Sequence, residues 1–153
     1  MRRLQNRPHL LEVAYDATEK ALQPFKKVLK PGGKMEKVFV KGEKLTKGMI
    51  FDCRMCGDCV LHSTGMTCPQ TCPKTLRNGP CGGVRPNGHC EVKPEMMCVW
   101  VQAWGRSQKM PEYGKQILTI MTPVSKNLAG TSAWINDLNS DKVKKVPTGW
   151  SEE

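Results

Sequence analysis

Cys53-Arg54-Met55-Cys56-Gly57-Asp58-Cys59 places three thiols in one seven-residue loop, and five more follow at Cys68, Cys72, Cys81, Cys90 and Cys98. The full spacing is C-x2-C-x2-C-x8-C-x3-C-x8-C-x8-C-x7-C. Zinc ribbons present their thiols in pairs, C-x2-C and again C-x2-C across a longer loop. A triplet instead suits a cluster whose irons occupy neighbouring corners, as in the bacterial ferredoxin run. Cys68-Pro69 and Cys72-Pro73 add a second ferredoxin-like trait, although the full ferredoxin run is absent. All eight cysteines are therefore candidate metal ligands, and none stands apart as a catalytic thiol. Eight ligands satisfy two 4Fe-4S clusters, with one 4Fe-4S cluster plus a structural zinc as the competing assignment. Spacing does not say which cysteines share a centre. His62 and His89 lie in the same stretch, but the thiols already suffice as ligands.

The surroundings of these thiols suggest that ligands organise the fold. Residues 52–98 hold six glycines and five prolines, and runs such as Asn78-Gly79-Pro80-Cys81-Gly82-Gly83 read as tight turns. Such turns bring backbone N–H groups close to cluster sulfurs. The chain has only thirty Leu, Ile, Val and Phe residues among 153, with a net charge of +10. That composition lies near the boundary where burial alone fails to fold a chain. Metal–thiolate bonds supply folding energy directly, because the site exists only in the folded state. Two cubane clusters would lower the net charge to roughly +6, which still favours acidic partners.

Outside the cysteines, residues 8–30 read as an amphipathic helix with Leu10, Val13, Ala14, Ala17, Ala21, Phe25 and Val28 on one face. Pro24 should kink or divide it. Residues 35–40 and 49–51 suggest a hairpin leading into Cys53. A helix is expected over 94–108, a short strand or helix over 113–122, and another short helix capped by Thr131 or Ser132. The expected fold class is small α+β, with an irregular cluster-organised core, few short strands and flanking helices. It divides into an N-terminal helix and hairpin arm (1–48) available for partner docking, a cysteine-rich domain (49–138) and a polar tail (139–153). No window approaches the ~18 apolar residues of a membrane span. Glu12, Asp16 and Glu19 interrupt the basic N-terminal stretch, so no signal is read there and the expected location is the cytoplasm. Lys and Arg are scattered and no zinc-finger helix is present, which argues against a nucleic-acid module.

The run Cys68-Pro69, then Cys72-Pro73-Lys74-Thr75-Leu76-Arg77-Asn78-Gly79-Pro80-Cys81-Gly82-Gly83, continues through Gly88-His89-Cys90-Glu91-Val92 and Cys98-Val99-Trp100. Together with Gly130-Thr131-Ser132-Ala133-Trp134-Ile135-Asn136, it resembles the methylenetetrahydrofolate reductase C-terminal-type domain over roughly residues 50–138. That resemblance implies a small iron–sulfur companion of a flavin-containing TIM-barrel reductase. Such a reductase interconverts methylene- and methyltetrahydrofolate by hydride transfer. The companion's implied role is electron relay between the flavin and a redox donor, or a purely structural one. The setting it implies is one-carbon metabolism, near corrinoid methyltransferase systems. This chain is too short for the barrel itself and has no G-x-G-x-x-G fingerprint, so flavin and folate sites would belong to the partner. Docking is expected through residues 8–30, the Trp100/Trp104 surface or the segment around Trp134.

Overall fold

Pro8 opens the first long helix, where its missing N–H costs nothing and its fixed φ suits the first turn. The computed structural model describes residues 2–140, and the element order is helical throughout. The helices are α1 (Arg2–Gln5), α2 (Pro8–Leu22), α3 (Glu36–Phe51), α4 (Val99–Ser107) and α5 (Ala133–Leu138), joined by loops and short 3-10 turns. α2 stops at Leu22, and a 3-10 turn over Gln23–Phe25 carries Pro24, which interrupts the helix as its chemistry requires. The expected polar tail lies outside the described residues from position 141 onward.

The α+β expectation is wrong. Among the described residues there is no sheet, and extended pairing is limited to one isolated antiparallel bridge between His89 and Met97. The hairpin expected over 35–51 is helix α3. Short apolar runs such as Val38-Phe39-Val40 do not distinguish strand from helix by themselves. Here the four-residue step from Glu43 to Lys47 decides the matter, because it puts both charged side chains on the buried side. Glu36 supports the start of the helix by accepting the Gly32 N–H at 2.6 Å.

The other helices shift by less. α4 begins after Cys98 rather than at position 94, and residues 114–118 form a 3-10 turn. Ser132 caps α5 as expected, its Oγ accepting the Ile135 N–H at 3.3 Å. The stripe read on residues 8–30 faces outward: Leu10 and Val13 are 53% and 54% exposed, while α2 buries Pro8, Leu11 and Glu12. Glu12 Oε1 accepts the N–H groups of Glu112 and Tyr113 at 3.0 and 2.8 Å, so a carboxylate seats the 110–118 segment on α2.

Among the described residues the apolar interior consists of three small clusters rather than one large core. Leu11, Leu61, Met66 and Met110 gather around Cys68, Leu29 packs with Ile135 and Leu138, and Trp100 and Ala103 pack on Cys98. Gly65 has φ +59, and a Cβ there would lie 2.3 Å from the Ala103 carbonyl oxygen, so its bare backbone lets this turn rest on α4. None of the described helices is long and apolar enough to cross a membrane.

Candidate metal centres

α3 ends with Asp52 in the left-handed conformation (φ 51), its N–H donating back to the Gly48 carbonyl at 3.1 Å. The chain then coils through Met55 (φ 50) and Gly57 (φ 73), a sequence of left-handed residues that winds Cys53, Cys56 and Cys59 around one point. Cys68 closes the same cavity after Met66, itself left-handed at φ 51. These four cysteines therefore line one space, the first centre. The Met55 N–H points at Cys53 Sγ from 3.4 Å. The loop is locked from outside: Gly130 N–H donates to Met55 O at 2.8 Å, and Asn136 Nδ2 donates to Gly57 O at 2.8 Å. A Cβ on Gly57 would lie 1.9 Å from the Leu128 carbonyl oxygen, so only glycine admits this approach.

Two cation–carboxylate pairs stand in the wall of the first centre. Lys47 Nζ lies 3.0 Å from Glu43 Oε2 and 4.9 Å from the centroid of the Trp134 ring. Arg77 Nη2 donates to Asp58 Oδ2 at 2.6 Å, both side chains being more than nine-tenths buried. Glu43 also accepts from the Ser132 hydroxyl and from the N–H groups of Ala133 (3.2 Å) and Trp134 (3.1 Å), so it caps α5 from a different helix. Burial pushes the Cys59 and Cys53 thiols up, against the pull of Lys47, and pushes Cys68 up to about 12. Burial opposes the charge of Lys47, but Cys59 and Glu43 outweigh it and keep the ammonium protonated. Burial thus favours the neutral thiols, and because Lys47 and Arg77 are each paired with a carboxylate, thiolates here would need further positive charge, such as that of a bound metal.

Cys72, Cys81, Cys90 and Cys98 line a second cavity, walled by Pro73, Pro80, Gly83 and Trp100. Here turns replace helices as the scaffold. Cys90 N–H donates to Met96 O at 3.0 Å, and Cys98 N–H to Gly88 O at 2.9 Å. Trp100 Nε1 donates to Leu76 O at 3.2 Å, tying α4 to the Cys72 loop. Cys81 Sγ lies 3.6 Å from Glu91 Oε1, and the same carboxylate accepts from Lys74. The eight thiols thus divide into the first four and the last four along the chain, with no crossing between cavities.

Residues 33–127, more than half of the chain, match the family model described as Methylene-tetrahydrofolate reductase C terminal. The chain belongs to this family. No curated protein and no solved structure matches it. The match covers every candidate ligand of the reductase C-terminal domain and all of α3 and α4. Among the described residues, no group of three or more His, Cys, Asp or Glu side chains is arranged to hold a metal ion. Four thiols nevertheless line each of two spaces, and thiolates are donors that both zinc and iron–sulfur clusters accept.

Sequence reasoning did not single out the charges at these centres: Glu43, Lys47, Asp58, Arg77 and Glu91. The four-residue spacing of Glu43 and Lys47 was a usable signal, although only for a helix. Nothing local pairs Asp58 with Arg77 across nineteen positions. His62 does not line either cavity; it stacks on Tyr15 with ring centroids 5.2 Å apart. His89 Nδ1–H donates to the Pro94 carbonyl at 2.7 Å and so holds the turn between Cys90 and Cys98.

Proposed function

We propose that this chain is the iron–sulfur accessory subunit of a flavin-dependent methylenetetrahydrofolate reductase, relaying electrons to or from the flavin of a TIM-barrel partner. The observation that carries this reading is the division of eight cysteines into two separate four-thiol cavities. Four thiolates in one cavity are the full ligand complement of a cubane cluster. When bound, each cluster would store and pass one electron. The protein's own groups hold it through Cys53, Cys56, Cys59 and Cys68, or through Cys72, Cys81, Cys90 and Cys98. Lys47 and Arg77 offset thiolate charge at the first centre, and the packing of Met66 and Leu61 beside Cys68 keeps water away. Membership of the reductase C-terminal family supplies the metabolic setting.

Anaerobic purification tests the assignment. About eight irons and eight acid-labile sulfides per chain are expected, with a brown colour bleached by dithionite. Zinc without visible absorbance would replace this reading with a metal-stapled structural subunit, for which the four-thiol donor sets are equally suited. With clusters present, reduction of the partner's flavin by an artificial donor through this chain separates relay from staple.

A further inference from the structure

Arg77 belongs to the loop between Cys72 and Cys81, two candidate ligands of the second centre, yet its side chain is buried in the wall of the first. Among the described residues it is the only member of segment 72–100 that lines the first cavity. The second cavity receives nothing in return, because every described residue lining it falls within 72–100. The two centres are separate in their thiols and joined, in one direction, by a single side chain.

The join is made at the ligand loop itself. Arg77 Nη2 donates to Asp58 Oδ2 at 2.6 Å, and Nη1 donates to the Asp58 carbonyl oxygen at 3.5 Å. Both contacts fall on the residue between Gly57 and Cys59, and the Cys56 thiol reaches the same carbonyl at 3.5 Å. A planar guanidinium that grips the carboxylate and the carbonyl of one residue fixes its orientation, as a single ammonium charge does not. Arg77 Nε donates to the Thr122 carbonyl at 2.7 Å. Each guanidinium nitrogen therefore has an acceptor, and none of these acceptors is in the loop that carries Arg77.

The other end of the join is anchored at the second centre. Leu76 O accepts from Trp100 Nε1 at 3.2 Å, and Trp100 walls the second cavity. Asn78 exchanges two 2.8 Å hydrogen bonds with the Met121 backbone, and Met121 packs on the cluster of Cys98, Trp100 and Ala103. The neighbours of Arg77 on both sides are thus fixed to the scaffold of the second centre, while Arg77 between them reaches into the first.

Resting on the reading of the two cavities as cluster sites, we infer that Arg77 is a positioning residue that makes the first centre depend on the second. The ligand loop of the second centre holds the Cys56–Cys59 loop in place, and the first centre gives no such support back.

The test follows anaerobic release of iron from the full chain to a ferrous chelator. The phase of release lost in Cys56→Ser reports the first centre, and the phase lost in Cys81→Ser reports the second. Arg77→Met should speed release from the first centre about tenfold and change the EPR spectrum of that centre when reduced. In the Cys56→Ser background, Arg77→Met should leave release from the second centre unchanged. Cys81→Ser loosens the loop that carries Arg77, so it should itself speed first-centre release, and adding Arg77→Met should then have little further effect. The double variant Asp58→Asn/Arg77→Gln removes the pair without leaving a lone buried charge, and should reproduce the Arg77→Met result if that variant folds poorly. Additive effects of Cys81→Ser and Arg77→Met would make Arg77 a local brace and overturn the dependence, while the cluster reading stands. Faster release from the second centre in Cys56→Ser/Arg77→Met would overturn its direction. If the unsubstituted chain takes up no iron, the inference and the cluster reading fall together.

Discussion

Replacing Gly57 by alanine should damage the first centre more than the loss of conformational freedom alone. Its φ of +73 lies in the left-handed region, where a Cβ costs about 1–2 kcal/mol. The larger cost comes from the neighbour: the new Cβ would sit 1.9 Å from the Leu128 carbonyl oxygen and 2.7 Å from its carbon. These are backbone atoms, so no rotamer change relieves them, and the 128–131 loop must retreat by roughly 1.5 Å to reach ordinary contact. That retreat strains two 2.8 Å hydrogen bonds, Gly130 N–H to Met55 O and Asn136 Nδ2 to Gly57 O. A buried polar group left unmet costs about 1–3 kcal/mol. The total expected destabilisation is about 3–5 kcal/mol. Guanidinium unfolding of the anaerobically purified protein, followed by tryptophan fluorescence, reads this as a lower midpoint. Iron content should fall with it. Gly48→Ala is the control, since a Cβ there meets nothing within 4 Å inside α3, and it should stabilise by about 0.5–1 kcal/mol. A loss below about 1 kcal/mol for Gly57→Ala would mean that the ligand loop does not lean on the 128–131 loop.

Three further outcomes follow from the geometry. Cys56→Ser and Cys81→Ser should each remove about four of eight irons, because each cysteine lines a different cavity; metal analysis showing no loss in either would refute the ligand set. Glu43→Gln leaves Lys47 buried without its partner and should cost about 3 kcal/mol. Thermal unfolding would show this as a midpoint lower by about 6–12 °C, and an unchanged midpoint would deny Glu43 its role in capping α5. The Lys20 bond, and then the Tyr113 hydroxyl, hold the Asp16 carboxyl below its usual range. Lys20→Met should raise that value more than Tyr113→Phe does, as an NMR titration would show. A depressed carboxylate contributes stability above its unfolded value and loses it as pH falls through the folded one.

The grouping of the thiols was legible because it is written locally. Three thiols in seven residues, and proline after Cys68 and Cys72, need no tertiary information to suggest a metal. Turn residues around Cys81 and Cys90 correctly foretold loops, and Ser132 announced α5. The helix over 36–51 was missed because its local signal, the four-residue step from Glu43 to Lys47, gains its weight only from partners far along the chain. Glu43 reaches Ser132 and Trp134 some ninety positions away, and Val38 and Val40 carry strand propensity of their own. The outward stripe of α2 shows the same limit in another form. Periodicity identified the helix, but it could not say which face meets the core, because the buried edge includes Glu12.

That last point joins composition to function. The described residues bury polar groups such as Glu12, Glu43, Asp58, Thr64 and Asn136 nearly as often as apolar ones, and they leave Leu10, Val38, Leu45 and Met49 outside. A chain short of apolar residues would not be expected to leave them in water if hydrophobic burial alone held it together. Inside, the polar groups are matched to specific partners, as Glu43 is to Lys47 and α5. This arrangement frees apolar side chains for a surface. It also ties the two halves of the protein together, because Lys47 faces the first centre while Glu43 beside it holds the N-terminus of α5.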